Sequence, residues 1–153
     1  MPTDTDLIKL YSNRILALAA DIPHTKRLAT PDATIKKRSP LCGSTVAVDL
    51  VVKDGCIVEY GQEVRACALG QAAAAVTGHA VLGRTLDDVT SARDALRTML
   101  KDDGPIPDAP FEGFEVLLPA RDYKNRHASI LLAIEAVTEA MEDALKGRLR
   151  LID

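Results

Sequence analysis

Hydrophobic and polar positions alternate along residues 45–52, where Val46, Val48, Leu50 and Val52 face one way and Asp49 the other. That period of two predicts a half-buried strand. Asp54-Gly55 follows, a pair suited to the two-residue hairpin turn whose central positions both need positive φ. Residues 56–60 read as the return strand, with Cys56, Val58 and Tyr60 on one face, and residues 62–65 as a third short strand. The period then lengthens. Residues 69–76 contain the run Ala72 to Ala75, strong helix formers, and Gly78 is placed to cap the helix end. Thr85 is a good N-cap for the next helix, with Asp87 and Asp88 in its first turn. Val89, Ala92, Leu96, Met99 and Leu100 form its buried face.

The flanks carry two further helical patterns. Over residues 5–20, Leu7, Leu10, Tyr11, Ile15 and Leu18 make one stripe that Pro23 ends. Over residues 127–146, Ile130, Ile134, Val137, Met141 and Leu145 make another, with Gly147 as its stop. Residues 24–40 are polar and basic (Lys26, Arg27, Lys36, Lys37, Arg38) with Pro31 and Pro40, and read as a loop. This run is either a solvated face or a docking surface for an acidic partner. Residues 102–110 are a proline-rich loop, residues 111–118 an extended segment packing Phe114, Val116 and Leu118, and residues 119–125 another loop.

Length and composition narrow the class. A chain of 153 residues suggests one domain spanning 1–153. Aromatic residues are 3%, with no Trp, which argues against base-stacking platforms. A net charge of −3 shows no excess for binding phosphates, so nucleic acid is set aside. With no signal segment and no long apolar run, the expectation is a cytoplasmic protein without membrane contact. Three cysteines are too few for a disulfide framework and point to ligands, nucleophiles or buried apolar side chains.

Two of those cysteines sit in suggestive places. Cys42 precedes Gly43 in a loop before the hairpin, and Cys67 stands where a strand gives way to a helix. The positive end of a helix favours negative charge, and thiolate is the form that binds metal or attacks sulfur. His127 opens the last helix, and a neutral imidazole suits zinc or iron. Each has a plainer reading, because cysteine is among the most buried residues and a lone histidine can simply end a helix. Cys56 is read as a buried or half-buried apolar residue; His24 and His79 are assigned nothing.

Ser39-Pro40-Leu41-Cys42-Gly43-Ser44 resembles the NPxCGD segment of the iron–sulfur cluster scaffold proteins of the IscU, SufU and NifU N-terminal type. Arg65-Ala66-Cys67-Ala68-Leu69 is similar to that family's second-cysteine segment, and His127-Ala128-Ser129-Ile130-Leu131 to its HCSIL segment. The resemblance implies an α+β fold, a small antiparallel three-stranded sheet packed against several helices. It implies a scaffold, not an enzyme, that takes sulfur from a cysteine desulfurase and passes iron or a [2Fe–2S] cluster to acceptor proteins. Carried over, the ligands are Cys42, Cys67 and His127, with Ser44 where the family has an aspartate. The third cysteine is absent, Ala128 or His127 standing in its place. Ser44, Asp122 or a partner's thiolate would complete the set. Two alternatives stay open: a zinc-dependent sulfurtransferase working with a cysteine desulfurase, and an interaction protein that binds no metal.

Overall fold

The structure, a computed structural model, describes residues 12–40 and 43–152, with side chains as far as Gly147. The hairpin forms where the alternation places it. Strand β2 (Thr45–Lys53) and strand β3 (Cys56–Arg65) pair antiparallel across Asp54 and Gly55, at φ +54° and +80°. Val46, Val48, Leu50 and Val52 are all buried. The return strand differs from the simple alternation. Val52 pairs with Ile57 but Val51 with Glu59, so Val58 is an extra residue in a bulge. A bulge shifts the facing of everything beyond it. Ile57 and Tyr60 therefore share the core side, and Val58 is 46% exposed.

The sheet has three antiparallel strands in the order β1-β2-β3, but the third strand is not residues 62–65, which simply continue β3. It is β1 (Ala33–Arg38), inside the basic stretch expected to be a loop. Ala33 and Ile35 turn inward while Thr34, Lys36 and Arg38 are exposed. Lysine and arginine on an edge strand are usual, and they hide the strand from a hydrophobicity reading.

Helix α1 (Asn13–Ala20) starts at Ser12, whose extended backbone and hydroxyl bond to the Ile15 N–H set its first turn. The expected stripe at Leu7, Leu10 and Tyr11 lies outside the described residues. Helix α2 (Ala68–Ala80) runs through Gly78 instead of stopping there. A Cβ at Gly78 would come within 2.8 Å of Gln62 Nε2 and of Pro23 Cγ, so the glycine permits close packing and caps nothing. Helix α3 (Leu86–Lys101) opens with a reciprocal capping box between Thr85 and Asp88 and buries the five residues expected. Residues 111–118 are not extended and the stretch after them is not a plain loop: Glu112–Asp122 and Lys124–Arg126 are 3-10 turns, burying Phe114, Val116 and Leu117. Helix α4 (His127–Ile152) passes through Gly147.

Helix α4 lies against β1 and β2, α2 packs on α1 and α4, and α3 covers α4 from outside. Ala72 to Ala75 are fully buried, their small side chains allowing α2 into the middle of this layer. On the opposite face of the sheet, buried Asp49 accepts bonds from Arg27 Nε (2.6 Å), Arg27 Nη2 (2.9 Å), Thr34 Oγ1 (2.6 Å) and the Leu28 N–H (3.0 Å). These bonds tie the stretch before β1 onto the sheet. Among the described residues no helix is long and apolar enough to cross a membrane.

Candidate functional site

The strand register builds the site. Arg38 pairs with Thr45 and Thr45 with Arg65, so the end of β1, the start of β2 and the end of β3 lie side by side. The β1–β2 connection is closed by bonds from the Ser39 N–H to the Ser44 carbonyl (2.8 Å) and from the Gly43 N–H to the Ser39 carbonyl (3.0 Å). Gly43 has φ +71°, a conformation glycine adopts without strain. Cys42, its chain neighbour, lies outside the described residues.

Two residues beyond β3, Cys67 is the N-cap of α2, with an extended backbone and no side-chain cap bond. The first N–H groups of α2 have no intrahelical partner, and Cys67 at this end is half-buried. Cys67 Sγ is 3.6 Å from Ser129 Oγ on α4, and Ser129 donates to Ser44 Oγ at 3.1 Å. Both serines are buried. Either group can donate across the Cys67–Ser129 contact, the thiol doing so while the Ser129 proton is directed at Ser44. A deprotonated sulfur would draw that hydroxyl round by rotation about one bond. Close approach of α2 and α4 here depends on Gly70: a Cβ on it would stand 2.6 Å from Ser129 Oγ and 2.8 Å from Ala66 Cβ.

His127 is placed differently. The residue is 4% exposed, and Nε2 lies 3.0 Å from the Ala120 carbonyl and 3.1 Å from that of Arg121. Carbonyls only accept, so Nε2 carries a hydrogen, and Nδ1 is the nitrogen left to offer a lone pair to a metal. Histidines that bind metal hold a carbonyl in just this way through the non-ligating nitrogen. The direction of the ring is another matter. At 3.6 residues per turn, His127 and Ser129 are about 200° apart around α4. His127, with Asp122, lines a cleft of about 470 Å³ beside the end of α3, together with Lys101, Asp103 and Lys124.

The structure thus brings Cys67 and Ser44 together through Ser129 and sets His127 on another side of α4. Among the described residues, no three His, Cys, Asp or Glu side chains gather as a metal-binding group. Cys56 is half-buried, as expected, at the far end of the sheet, where it pairs with Lys53 and bridges to Thr85. Ser129 was the participant missed by residue-by-residue reading. Its one signal was a hydroxyl in the first turn of a helix otherwise rich in apolar residues.

No protein-family model matches the chain, and no curated protein matches it. Solved structures do. One is a nitrogen-fixing NifU-like protein (N-terminal) from Brucella abortus, 42% identical, with a TM-score of 0.90 over 92% of this chain and 98% of that one. A second is a candidate iron–sulfur cluster assembly scaffold protein for the SUF system from Fervidobacterium islandicum AW-1. It is 17% identical, with a TM-score of 0.78 over 88% of this chain and 98% of that one. A third, a hypothetical protein, is 18% identical with a TM-score of 0.75 over 88% and 98%. The last two likenesses concern the fold alone.

Proposed function

Because the chain belongs to the family of NifU-like N-terminal proteins, we propose that it is an iron–sulfur cluster assembly scaffold whose cargo sits at the Ser44–Cys67 end of the sheet. The observation that carries this reading is the convergence of Cys67, at an uncapped helix entrance, with the loop that ends in Gly43 and Ser44. Cys42 and Cys67 supply thiolates, the donors that iron–sulfur clusters favour. Ser44 supplies a hydroxyl, a weak oxygen donor, and Ser129 steadies both Ser44 and the sulfur. His127 is the fourth proposed donor, through Nδ1; to reach a cargo beside Cys67 its ring must come round from the cleft side of α4. Two thiolates, a weak oxygen and an imidazole that must first come round α4 hold a cluster loosely, which suits a protein that gives its cargo up. Sulfur from a cysteine desulfurase and delivery to acceptor proteins complete the proposed role.

Anaerobic reconstitution of the full chain with ferrous iron and sulfide, read by visible absorbance and by iron and sulfide analysis, tests this. Cluster bands are expected for the unaltered chain and for Cys56→Ala, and their loss for Cys42→Ser and Cys67→Ser. His127→Ala decides the fourth donor: reduced iron with an unchanged melting temperature makes it a ligand. Unchanged stoichiometry in both cysteine variants would remove the site.

A further inference from the structure

The basic run singled out in the sequence is absorbed only in part by the fold. Arg27 is held by Asp49, and Lys37 pairs with Glu139 at 2.7 Å. Lys36 and Arg38 are exposed on β1 and, among the described residues, form no ion pair. β1 is also an edge of the sheet. The bond from the Ser39 N–H to the Ser44 carbonyl marks 39 and 44 as a hydrogen-bonded pair. Bonded and unbonded pairs alternate in an antiparallel ladder. Residues 33, 35 and 37 therefore direct their backbone groups at β2, and Thr34, Lys36 and Arg38 direct theirs outward. No backbone bond from another described residue reaches them.

Charge selects the occupant. Residues 33–48 hold Lys36, Lys37 and Arg38 and no acidic residue, in a chain whose net charge is −3. A second copy of this strand would set like charges side by side, which disfavours it. An acidic strand would be drawn in. Arg38 also reaches the β1–β2 loop, where a Cβ on Gly43 would lie 3.9 Å from its Nη2. We propose that the β1 edge docks an extended acidic segment of a partner protein by strand addition, holding that partner beside the Gly43–Ser44 loop. The added strand alternates, with carboxylates on the Lys36 and Arg38 face and apolar residues on the Ile35 face. This docking does not depend on cargo at the site.

The probe is a fluorescent acetylated peptide of three Glu-Val repeats, titrated against the full metal-free chain and read by anisotropy. Saturable binding is expected, weakening about tenfold or more as salt rises to about 0.5 M. A similar loss is expected in the Lys36→Glu/Arg38→Glu double variant. Peptide N-methylated at its edge-facing amides should lose binding at equal charge, and bound peptide should slow hydrogen exchange at the amides of Thr34, Lys36 and Arg38. No saturable binding up to about 1 mM, a weak affinity on any scale, overturns the proposal. So does equal binding of the N-methylated peptide, which would mean charge attraction without strand pairing. The double variant should still assemble a cluster. Failure of assembly in the unaltered chain, with peptide binding intact, would count against the scaffold reading alone.

Discussion

At Gly70 the space between α2 and α4 is closed to a single methyl group. An added Cβ would press on Ala66 Cβ, which has no freedom to turn, and on Ser129 Oγ, whose rotation would break the contact with Cys67. Overpacking of this kind costs about 1–3 kcal/mol. Gly70→Ala is therefore expected to lower the melting temperature of metal-free protein by roughly 2–10 °C, at the few degrees per kcal/mol usual for this size. It should also reduce iron retained after reconstitution. An unchanged melting temperature with full iron content would show that the helices can part at no cost. Asp49 supplies a second test at this scale. The Arg27 guanidinium bonded to it holds its carboxyl below the usual range, against the opposing effect of burial, and Thr34 and the Leu28 N–H assist. In the unfolded chain the group takes up a proton near pH 4. The stabilisation is thus present above about pH 4 and lost as pH falls below it, through the lower folded value. Asp49→Asn should cost about 2 kcal/mol at neutral pH, the worth of a charge-assisted bond, and should flatten the loss of stability on acidification below about pH 4. Parallel acid profiles, followed by circular dichroism, would rule out Asp49 as the source.

Among the elements, the bulge in β3 makes the sharpest claim. It gives neighbouring apolar residues opposite environments: Ile57 is fully buried and Val58 is 46% exposed. Ile57→Ala should cost about 3 kcal/mol by chemical denaturation, while Val58→Asp should change stability by about 0.5 kcal/mol or less, as at an ordinary surface position. Similar costs for the two would return β3 to simple alternation. The bulge was invisible in the sequence because Cys56, Val58 and Tyr60 alternate acceptably without it; only the pairing partner, with Leu50 opposite Tyr60, fixes the facing. Helix α3 was fully legible, since its cap, first-turn acids and five buried positions are local signals. The stop at Gly78 was misread because a glycine that ends a helix and one that admits a neighbour look alike in one dimension; Gly147, with open space where a Cβ would stand, is simply carried along in α4. Strand β1 was hidden by the lysines that protect it.

For the molecule as a whole, class and strand number could be read from the chain, while the identity of the third strand could not. The resemblance to scaffold proteins pointed to the correct family. Cys67 and Ser44 were placed together, but the serine between them came from a helix far along the chain, and no local pattern records that approach. His127 was chosen as a helix-entrance residue and is one. Nothing local to position 127 records which way around α4 its ring turns, because that depends on the carbonyls of Ala120 and Arg121.

The tight approach at Gly70 has a consequence for how this chain can vary. Positions 66, 70 and 129 form one steric unit, so volume can be moved among them but not added. A library randomised at all three should return mostly sets of small residues. An alanine at 70 should be tolerated best beside glycines at 66 and 129, in variants that recover the fold and forfeit the hydroxyl.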